Sequence, residues 1–253
     1  MRILQICLFL LLTGSGYSQT VPVTFQSRAE ATALLELYTS EGCSSCPPAE
    51  TWLSRLTESP QLWQDFVPVA FHIDYWDRLG WRDPWSSAAF SERQKAYAAE
   101  WRSESVYTPE FVLAGREWPD WAGQKVIPKS GRAKPGVLTV SSVASNRWTV
   151  KFVPTTAGAK GFEVHAARLA SGLRSDVKSG ENGGRRLIHD FVVLTQVHAP
   201  LTIAGGEATG EFVLPRGPAS SGRLALAVWI TPASGLAPLQ ATGGWLEQPA
   251  AGR

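Results

Sequence analysis

The segment that decides the predicted fold reads ALLELYTSEGCSSCPP and covers residues 33–48. It opens with a short apolar run typical of a buried strand, passes through a polar turn at 40–42, and ends on two cysteines and two prolines. Proline is tolerated in the first turn of a helix, because the amides of that turn have no partner within the helix. The segment therefore predicts a strand, a tight turn and a helix that begins beside Cys43 and Cys46.

The elements that follow continue this alternation. A second apolar run at 66–73 predicts a buried strand, and aromatic residues at helical spacing predict a helix that reaches about Arg102. A third strand is predicted over 106–113. The predicted order is βαβαβ, so residues 28–128 are expected to form an α/β domain.

The pattern changes beyond residues 128–136, a segment rich in proline, lysine, serine and glycine that predicts a linker. From there apolar residues alternate with polar ones, as at Trp148, Val150 and Phe152, and further strand-like runs are separated by turns. This pattern is typical of antiparallel sheets. Residues 137–248 are therefore expected to form a β-sandwich-like domain.

The first 18 residues have the composition of a secretory signal peptide, with one basic residue, an apolar stretch and then small polar residues. The apolar stretch is about ten residues long, and roughly 20 are needed to cross a bilayer. We expect an exported protein, periplasmic or secreted, with no membrane span in the mature chain; an uncleaved signal that acts as an anchor stays open as the alternative. The formal net charge of +2, with interspersed charges, excludes a basic nucleic-acid footprint.

Two cysteines are the candidates for chemistry. Of the three in the chain, Cys7 falls within the predicted signal peptide, which leaves Cys43 and Cys46 as a pair in an oxidising compartment. A helix N-terminus favours the thiolate, which is the nucleophilic form. We predict that Cys43, expected to be the more exposed member, attacks and that Cys46 resolves the mixed disulfide. Two other interpretations stay open: an inert structural disulfide, and a metal site in which His72 joins the cysteines.

Several motifs carry a family resemblance: ELYTSEGCSSCPPA at 36–49, AFHIDYWD at 70–77, VYTP at 106–109 and a block that begins with GEN at 180–182. With them the chain resembles a bacterial family of exported thioredoxin-like proteins that is described as a domain of unknown function. The resemblance implies a thioredoxin-like fold for residues 28–128, in which Pro109 takes the cis form beside the cysteines and positions the substrate backbone. Thr108, which precedes this proline, is assigned to substrate binding.

Glu36 and two tryptophans complete the predicted site. The resemblance implies a buried acid six residues before the first cysteine, where this chain has Leu37. Glu36, one residue further away, either lies beneath the pair and accepts a proton from Cys46 or faces solvent. Trp76 and Trp81 either pack an irregular loop against the core or face a peptide substrate.

Together these residues predict an exported thiol–disulfide oxidoreductase that acts on protein cysteines and is recycled by an unidentified redox partner. No cofactor is expected, and no metal ligand set is assigned. The chain has no nucleophile elbow, no zincin helix motif and no phosphate-binding loop motif, so hydrolase and nucleotide-binding functions have no support. The alternatives are a non-enzymatic binding module with a structural disulfide and a metal-capturing protein.

Overall fold

The structure, a computed structural model, describes residues 22–124, 127–128, 133–144, 146–156 and 161–246. The predicted signal peptide at 1–18 and part of the predicted linker lie outside these residues. Of the described residues, 43% lie in strands and 16% in helices. None of the helices that they form is long and apolar enough to cross a membrane.

The first half of the described chain contains two α-helices and five strands. In order they are β1 (Thr24–Gln26), β2 (Ala33–Thr39), α1 (Pro47–Ser54), β3 (Phe66–His72), α2 (Ala88–Trp101), β4 (Glu110–Leu113) and β5 (Arg116–Glu117). Short 3₁₀ helices cover Arg55–Glu58, Asp77–Leu79 and Pro119–Gly123. The two prolines start α1 as the sequence predicts, because they occupy its first turn.

The described second half contains strands alone. In order they are β6 (Gly136–Ser142), β7 (Arg147–Pro154), β8 (Phe162–Ser171), β9 (Leu173–Asp176), β10 (Arg186–His189), β11 (Val192–Pro200), β12 (Thr202–Ala204), β13 (Glu207–Val213), β14 (Arg223–Pro232) and β15 (Gln240–Trp245). They are shared among three sheets: a five-stranded sheet in the order β1-β6-β7-β13-β12, the hairpin of β9 and β10, and an eight-stranded sheet.

The eight-stranded sheet joins the two halves of the chain. Its order is β15-β14-β8-β11-β3-β2-β4-β5, with β3 parallel to both β2 and β11 and the other neighbours antiparallel. At the junction Val192 pairs with Ala70, whose amide donates to the carbonyl oxygen of Phe191 at 2.8 Å. A strand from the second half is therefore a direct neighbour of the strands that carry the cysteine segment.

The predicted fold class is wrong. A thioredoxin-like α/β domain followed by a separate β-sandwich-like domain was expected, but the described chain is mostly β-sheet and strands from both halves share one sheet. The prediction failed because hydrophobic periodicity identifies a strand without identifying its neighbour in the sheet. The predicted domain limits, 28–128 and 137–248, stay predictions.

Strand β14 is buried on both faces and separates two apolar cores. Its alternate side chains point to opposite faces of the sheet, as in any strand. Ala225, Ala227 and Trp229 lie in the core that contains β2 and β3. Leu226, Val228 and Ile230 lie in the core shared with the five-stranded sheet. The strands that position the cysteine segment therefore belong to a continuous, packed sheet.

Candidate functional site

Cys43 and Cys46 form a disulfide at the start of α1. Their Cα atoms lie 5.5 Å apart, and Cys46 occupies the N-cap position of the helix. Both cysteines are fully buried, with 0% of their surface exposed, whereas Ser44 and Ser45 between them are exposed. The prediction that Cys43 is the more exposed member of the pair is therefore wrong.

The peptide group before Pro109 lies against Cys43. The Thr108–Pro109 bond is cis. The carbonyl oxygen of Thr108 lies 3.7 Å from the Sγ atom of Cys43 and accepts a hydrogen bond from the Ser45 hydroxyl at 3.4 Å. The indole Nε1 of Trp76 donates to the Thr108 hydroxyl at 2.8 Å. The structure thus brings together five of the residues that the sequence assigns to the site: Cys43, Cys46, Thr108, Pro109 and Trp76.

A turn from the second half of the chain binds the backbone beside the disulfide. Residues 179–185, which we call the cap, lie in the connection between β9 and β10. The side-chain amide of the fully buried Asn182 donates to the carbonyl oxygens of Glu41 and Cys43, both at 2.9 Å. The carboxylate of Glu181 accepts a hydrogen bond from the amide of Ser44 at 2.9 Å. The cap therefore holds the backbone on both sides of Cys43.

Glu36 is fully buried, but the structure does not place it with the cysteines. Its carboxylate accepts hydrogen bonds from Arg93 at 2.7 Å and from the hydroxyl of Tyr97 at 2.6 Å, both on α2. Thr39, also on β2, instead contacts Glu50 of α1. Residues 36 and 39 are three apart, so their side chains lie on opposite faces of the strand. Glu36 therefore lies on the α2 face of the sheet, away from the helix that carries Cys46.

His189 lies between two buried carboxylates near the cysteine segment. Its Nδ1 atom lies 2.7 Å from Oε2 of Glu50, and its Nε2 atom lies 3.0 Å from Oε1 of Glu41. Trp81 donates from its indole Nε1 to the other oxygen of Glu41 at 2.6 Å. Trp81, predicted to pack a loop or to face a substrate, thus orients a buried carboxylate. Glu50 is one helical turn beyond Cys46, since its amide bonds to the Cys46 carbonyl.

His72 forms a second buried pair beside the first. Its Nδ1 atom lies 2.7 Å from Oδ2 of Asp83, which also accepts a hydrogen bond from the amide of Glu41. The rings of His72 and His189 meet edge to face, with centroids 5.1 Å apart. Among the described residues, the Nε2 atom of His72 has no hydrogen-bond partner although it is buried. Nδ1 of His72 is therefore hydrogen-bonded to Asp83, and Nε2 has no partner among the described residues.

Charge interactions within this cluster outweigh the effect of burial. Burial disfavours the charged form of His189, but the carboxylates of Glu50 and Glu41 raise its pKa to about 10. Burial likewise opposes ionisation of Glu50, yet the neighbouring His189 lowers the pKa of that carboxyl. The pKa of Asp83 is lowered in the same way, against burial, by His72. The neighbouring histidines thus favour the charged forms of the Glu50 and Asp83 carboxyls although both are buried.

Three side chains of the cluster are arranged as ligands for a metal ion. Glu50, His72 and His189 each offer one ligand atom, and these atoms all lie within 4.8 Å of one another. The sequence-based alternative joined His72 to the cysteines instead, but the cysteines are bonded to each other. Sequence reasoning missed His189 because 139 residues separate it from Glu50. The only signal was the family-like block that begins at residue 180.

Comparison with known protein families shows to which family this chain is related. The model of the family described as "Protein of unknown function (DUF1223)" matches residues 34–231. This chain belongs to that family. The membership confirms the resemblance to a family described as a domain of unknown function. No curated protein matches this DUF1223 chain.

Two solved structures share the fold of this DUF1223 protein. A crystal structure of a protein from Agrobacterium tumefaciens is 24% identical, with a TM-score of 0.58, and the match covers 87% of this chain and 99% of that chain. HBP35 of Porphyromonas gingivalis is 15% identical, with a TM-score of 0.59, and the match covers 90% of this chain and 79% of that chain. At these identities the likeness shows the fold alone.

Proposed function

We propose that this protein is an exported thiol–disulfide oxidoreductase that acts on protein cysteines through Cys43 and Cys46. The observation that carries the proposal is the position of the disulfide at the start of α1, against the Thr108 carbonyl. A disulfide between cysteines three residues apart stabilises the fold only weakly. The chain-entropy estimate of the stabilisation is about 2 kcal/mol for so small a ring, against about 3 kcal/mol for a ring of about fifteen residues. The placement suits chemistry better than stabilisation.

The chemistry is a pair of thiol–disulfide exchanges. A substrate thiolate attacks Sγ of Cys43, the bond to Cys46 breaks, and Cys46 leaves as a thiolate. A second substrate thiolate then attacks the substrate sulfur of the mixed disulfide, which releases an oxidised substrate and the reduced pair. Two electrons move from substrate to protein, and the reverse sequence moves them back. The direction depends on the unidentified partner that recycles the pair.

Helix α1 supports Cys46 as the leaving group. The first amides of a helix have no partner within it, and their partial positive charge stabilises a nearby anion. Cys46 is the N-cap residue and Cys43 lies on the side of Thr108 and Ser45. Both cysteines are buried, so a neighbouring segment must move before a substrate reaches Cys43. We propose that this segment is the cap, because it binds the backbone on both sides of Cys43.

The deciding experiment traps the mixed disulfide in a Cys7→Ser background, so that the pair holds the only cysteines. The reduced Cys46→Ser variant is treated with an aromatic disulfide reagent, and the adduct is counted by mass spectrometry. We expect a stable adduct on Cys43, and faster reaction than for Cys43→Ser. The variant lacking both cysteines is the matched control and forms no adduct.

The reduction potential of the wild-type pair gives the second readout. A redox-active pair equilibrates with glutathione and has a potential above about −300 mV, whereas structural disulfides lie below that value. A potential below it, together with no adduct on either single variant, overturns the oxidoreductase. That outcome would favour the binding module in which the disulfide shapes a surface.

A further inference from the structure

The buried cluster beneath the cysteine segment carries an inference independent of the disulfide. Glu50, His72 and His189 come from α1, β3 and β10 and converge with their ligand atoms within 4.8 Å of one another. All three are buried. We propose that they form a binding site for a divalent transition-metal ion, with Zn²⁺ as the ion that it fits best. Two imidazoles and one carboxylate are ligands that zinc uses in sites with a fourth, open position.

The unused nitrogen of His72 is the first argument. A buried polar atom without a partner destabilises the folded state, and native structures seldom leave one unexplained. The other nitrogen of this ring is held by Asp83 at 2.7 Å. A metal-binding histidine has this arrangement, because its second nitrogen donates to a carboxylate that sets the orientation of the ring. An ion bound at Nε2 of His72 completes the set.

His189 repeats the arrangement with the nitrogens exchanged. Its Nε2 atom faces Glu41, which orients the ring, and its Nδ1 atom faces Glu50. When an ion takes Nδ1, the proton on that atom leaves to solvent and the bond to Glu41 is kept. Glu50 then turns one oxygen to the ion while the other still accepts from Thr39. Each histidine ligand thus has a carboxylate of its own.

The distances require only small shifts of the ligand atoms. Zinc bonds of about 2.0–2.2 Å in a tetrahedral site place the ligand atoms about 3.3–3.6 Å apart. Nδ1 of His189 and Oε2 of Glu50 lie 2.7 Å apart, so this pair must widen by about 0.6–0.9 Å. The other separations are 4.8 Å or less and must shorten by at most about 1.5 Å, which rotations of the side chains supply.

The oxygen atoms of the cluster face no basic side chain other than histidine among the described residues. Glu41, Glu50 and Asp83 are buried, and in the part of the chain that the structure describes no Lys or Arg forms an ion pair with any of the three. Buried carboxyl groups are stabilised when they are paired or coordinate a metal. A divalent ion at Glu50 therefore competes with none of the described lysines and arginines for that carboxylate.

The test is a titration of the oxidised, untagged protein with Zn²⁺, followed by calorimetry, and with Co²⁺, followed by its visible absorption. We expect one equivalent to bind, and His72→Gln, His189→Gln and Glu50→Gln each to weaken binding at least about 100-fold. His165→Gln is the matched control, because His165 is also buried and also has a nitrogen without a partner among the described residues. Its affinity for Zn²⁺ should equal that of the wild type.

Two further variants keep the proposal falsifiable if a ligand variant fails to fold. Asp83→Asn leaves all three ligands but removes the group that orients His72, and we expect about 10–100-fold weaker binding and a changed Co²⁺ spectrum. The Cys43→Ser/Cys46→Ser variant should bind as the wild type does. Absence of stoichiometric binding, or binding that survives in folded His72→Gln, overturns the site. Binding only to reduced protein, lost with the cysteines, would assign the ion to the sulfurs and also overturn it; neither result depends on whether the disulfide is catalytic.

Discussion

Asn182 donates a hydrogen bond from its side-chain amide to the backbone carbonyl of Cys43, although 139 residues separate the two in the chain. The same amide reaches the carbonyl of Glu41. The guanidinium of Arg185 in turn holds the side-chain oxygen of Asn182 at 2.6 Å. One side chain therefore fastens the cap to the cysteine segment.

We predict that Asn182→Ala accelerates reduction of the disulfide in the folded protein. The change removes two buried hydrogen bonds, each worth about 1 kcal/mol net, and so raises the open fraction of the cap and the rate constant with dithiothreitol by about tenfold or more. Quenched alkylation followed by mass spectrometry measures that rate. Asn146→Ala, in the turn before β7, is the matched control and should react as the wild type does. An unchanged rate in Asn182→Ala would show that the cap does not limit access.

Glu36→Gln should destabilise the protein by about 3 kcal/mol. The change leaves the guanidinium of Arg93 buried without its counter-ion, and loss of one member of a buried ion pair costs about 3–5 kcal/mol. Urea unfolding followed by circular dichroism measures the loss. Glu92→Gln, on the exposed face of α2, is the control and should cost less than about 0.5 kcal/mol. A slower reaction of Cys43 in folded Glu36→Gln would contradict the placement of Glu36 on the α2 face.

We predict that Glu110 makes the folded protein less stable as the pH rises. Burial raises the pKa of this carboxyl to about 7, against a hydrogen bond from Gln94, and the nearby Glu117 and Glu36 add to the shift. Between pH 4.5, the ordinary pKa of this group, and pH 7, the folded state binds more protons than the unfolded state. The contribution of Glu110 to the free energy of unfolding therefore declines as the pH rises through that window. In Glu110→Gln, the free energy of unfolding should lack a decline of about 1–3 kcal/mol that the wild type shows across this pH range. Unfolding at pH 4, 6 and 8 tests this, and parallel pH profiles of variant and wild type would refute it.

The sequence predicts local structure where interactions between residues close together in the chain determine it. The prolines that start α1 follow from the unpaired amides of a first helical turn, and the alternation at Trp148, Val150 and Phe152 matches the buried face of β7. The family itself was recognisable from the cysteine motif. Each of these features depends on residues close together in the chain.

The rest depends on contacts that no local pattern contains. The pairing of Val192 with Ala70 joins the two halves into one sheet, and His189 meets Glu50 across 139 residues. The face of Glu36 was misjudged because counting back from the cysteines ignores strand alternation, which Thr39 reveals through its bond to Glu50. A one-residue offset in a strand changes the face and therefore the role.

The variant Trp81→Phe distinguishes between a positioning role and a substrate-binding role of Trp81. Its indole donates to one oxygen of Glu41 while the other oxygen orients His189. Trp81→Phe keeps the packing but removes that donor, so Glu41 is held less firmly and Zn²⁺ affinity should fall about 10–100-fold. Trp85→Phe is the matched control, since the indole nitrogen of Trp85 has no partner among the described residues. A substrate-gripping Trp81 would instead leave Zn²⁺ affinity unchanged and raise the KM for a peptide disulfide, so the two readouts assign the residue.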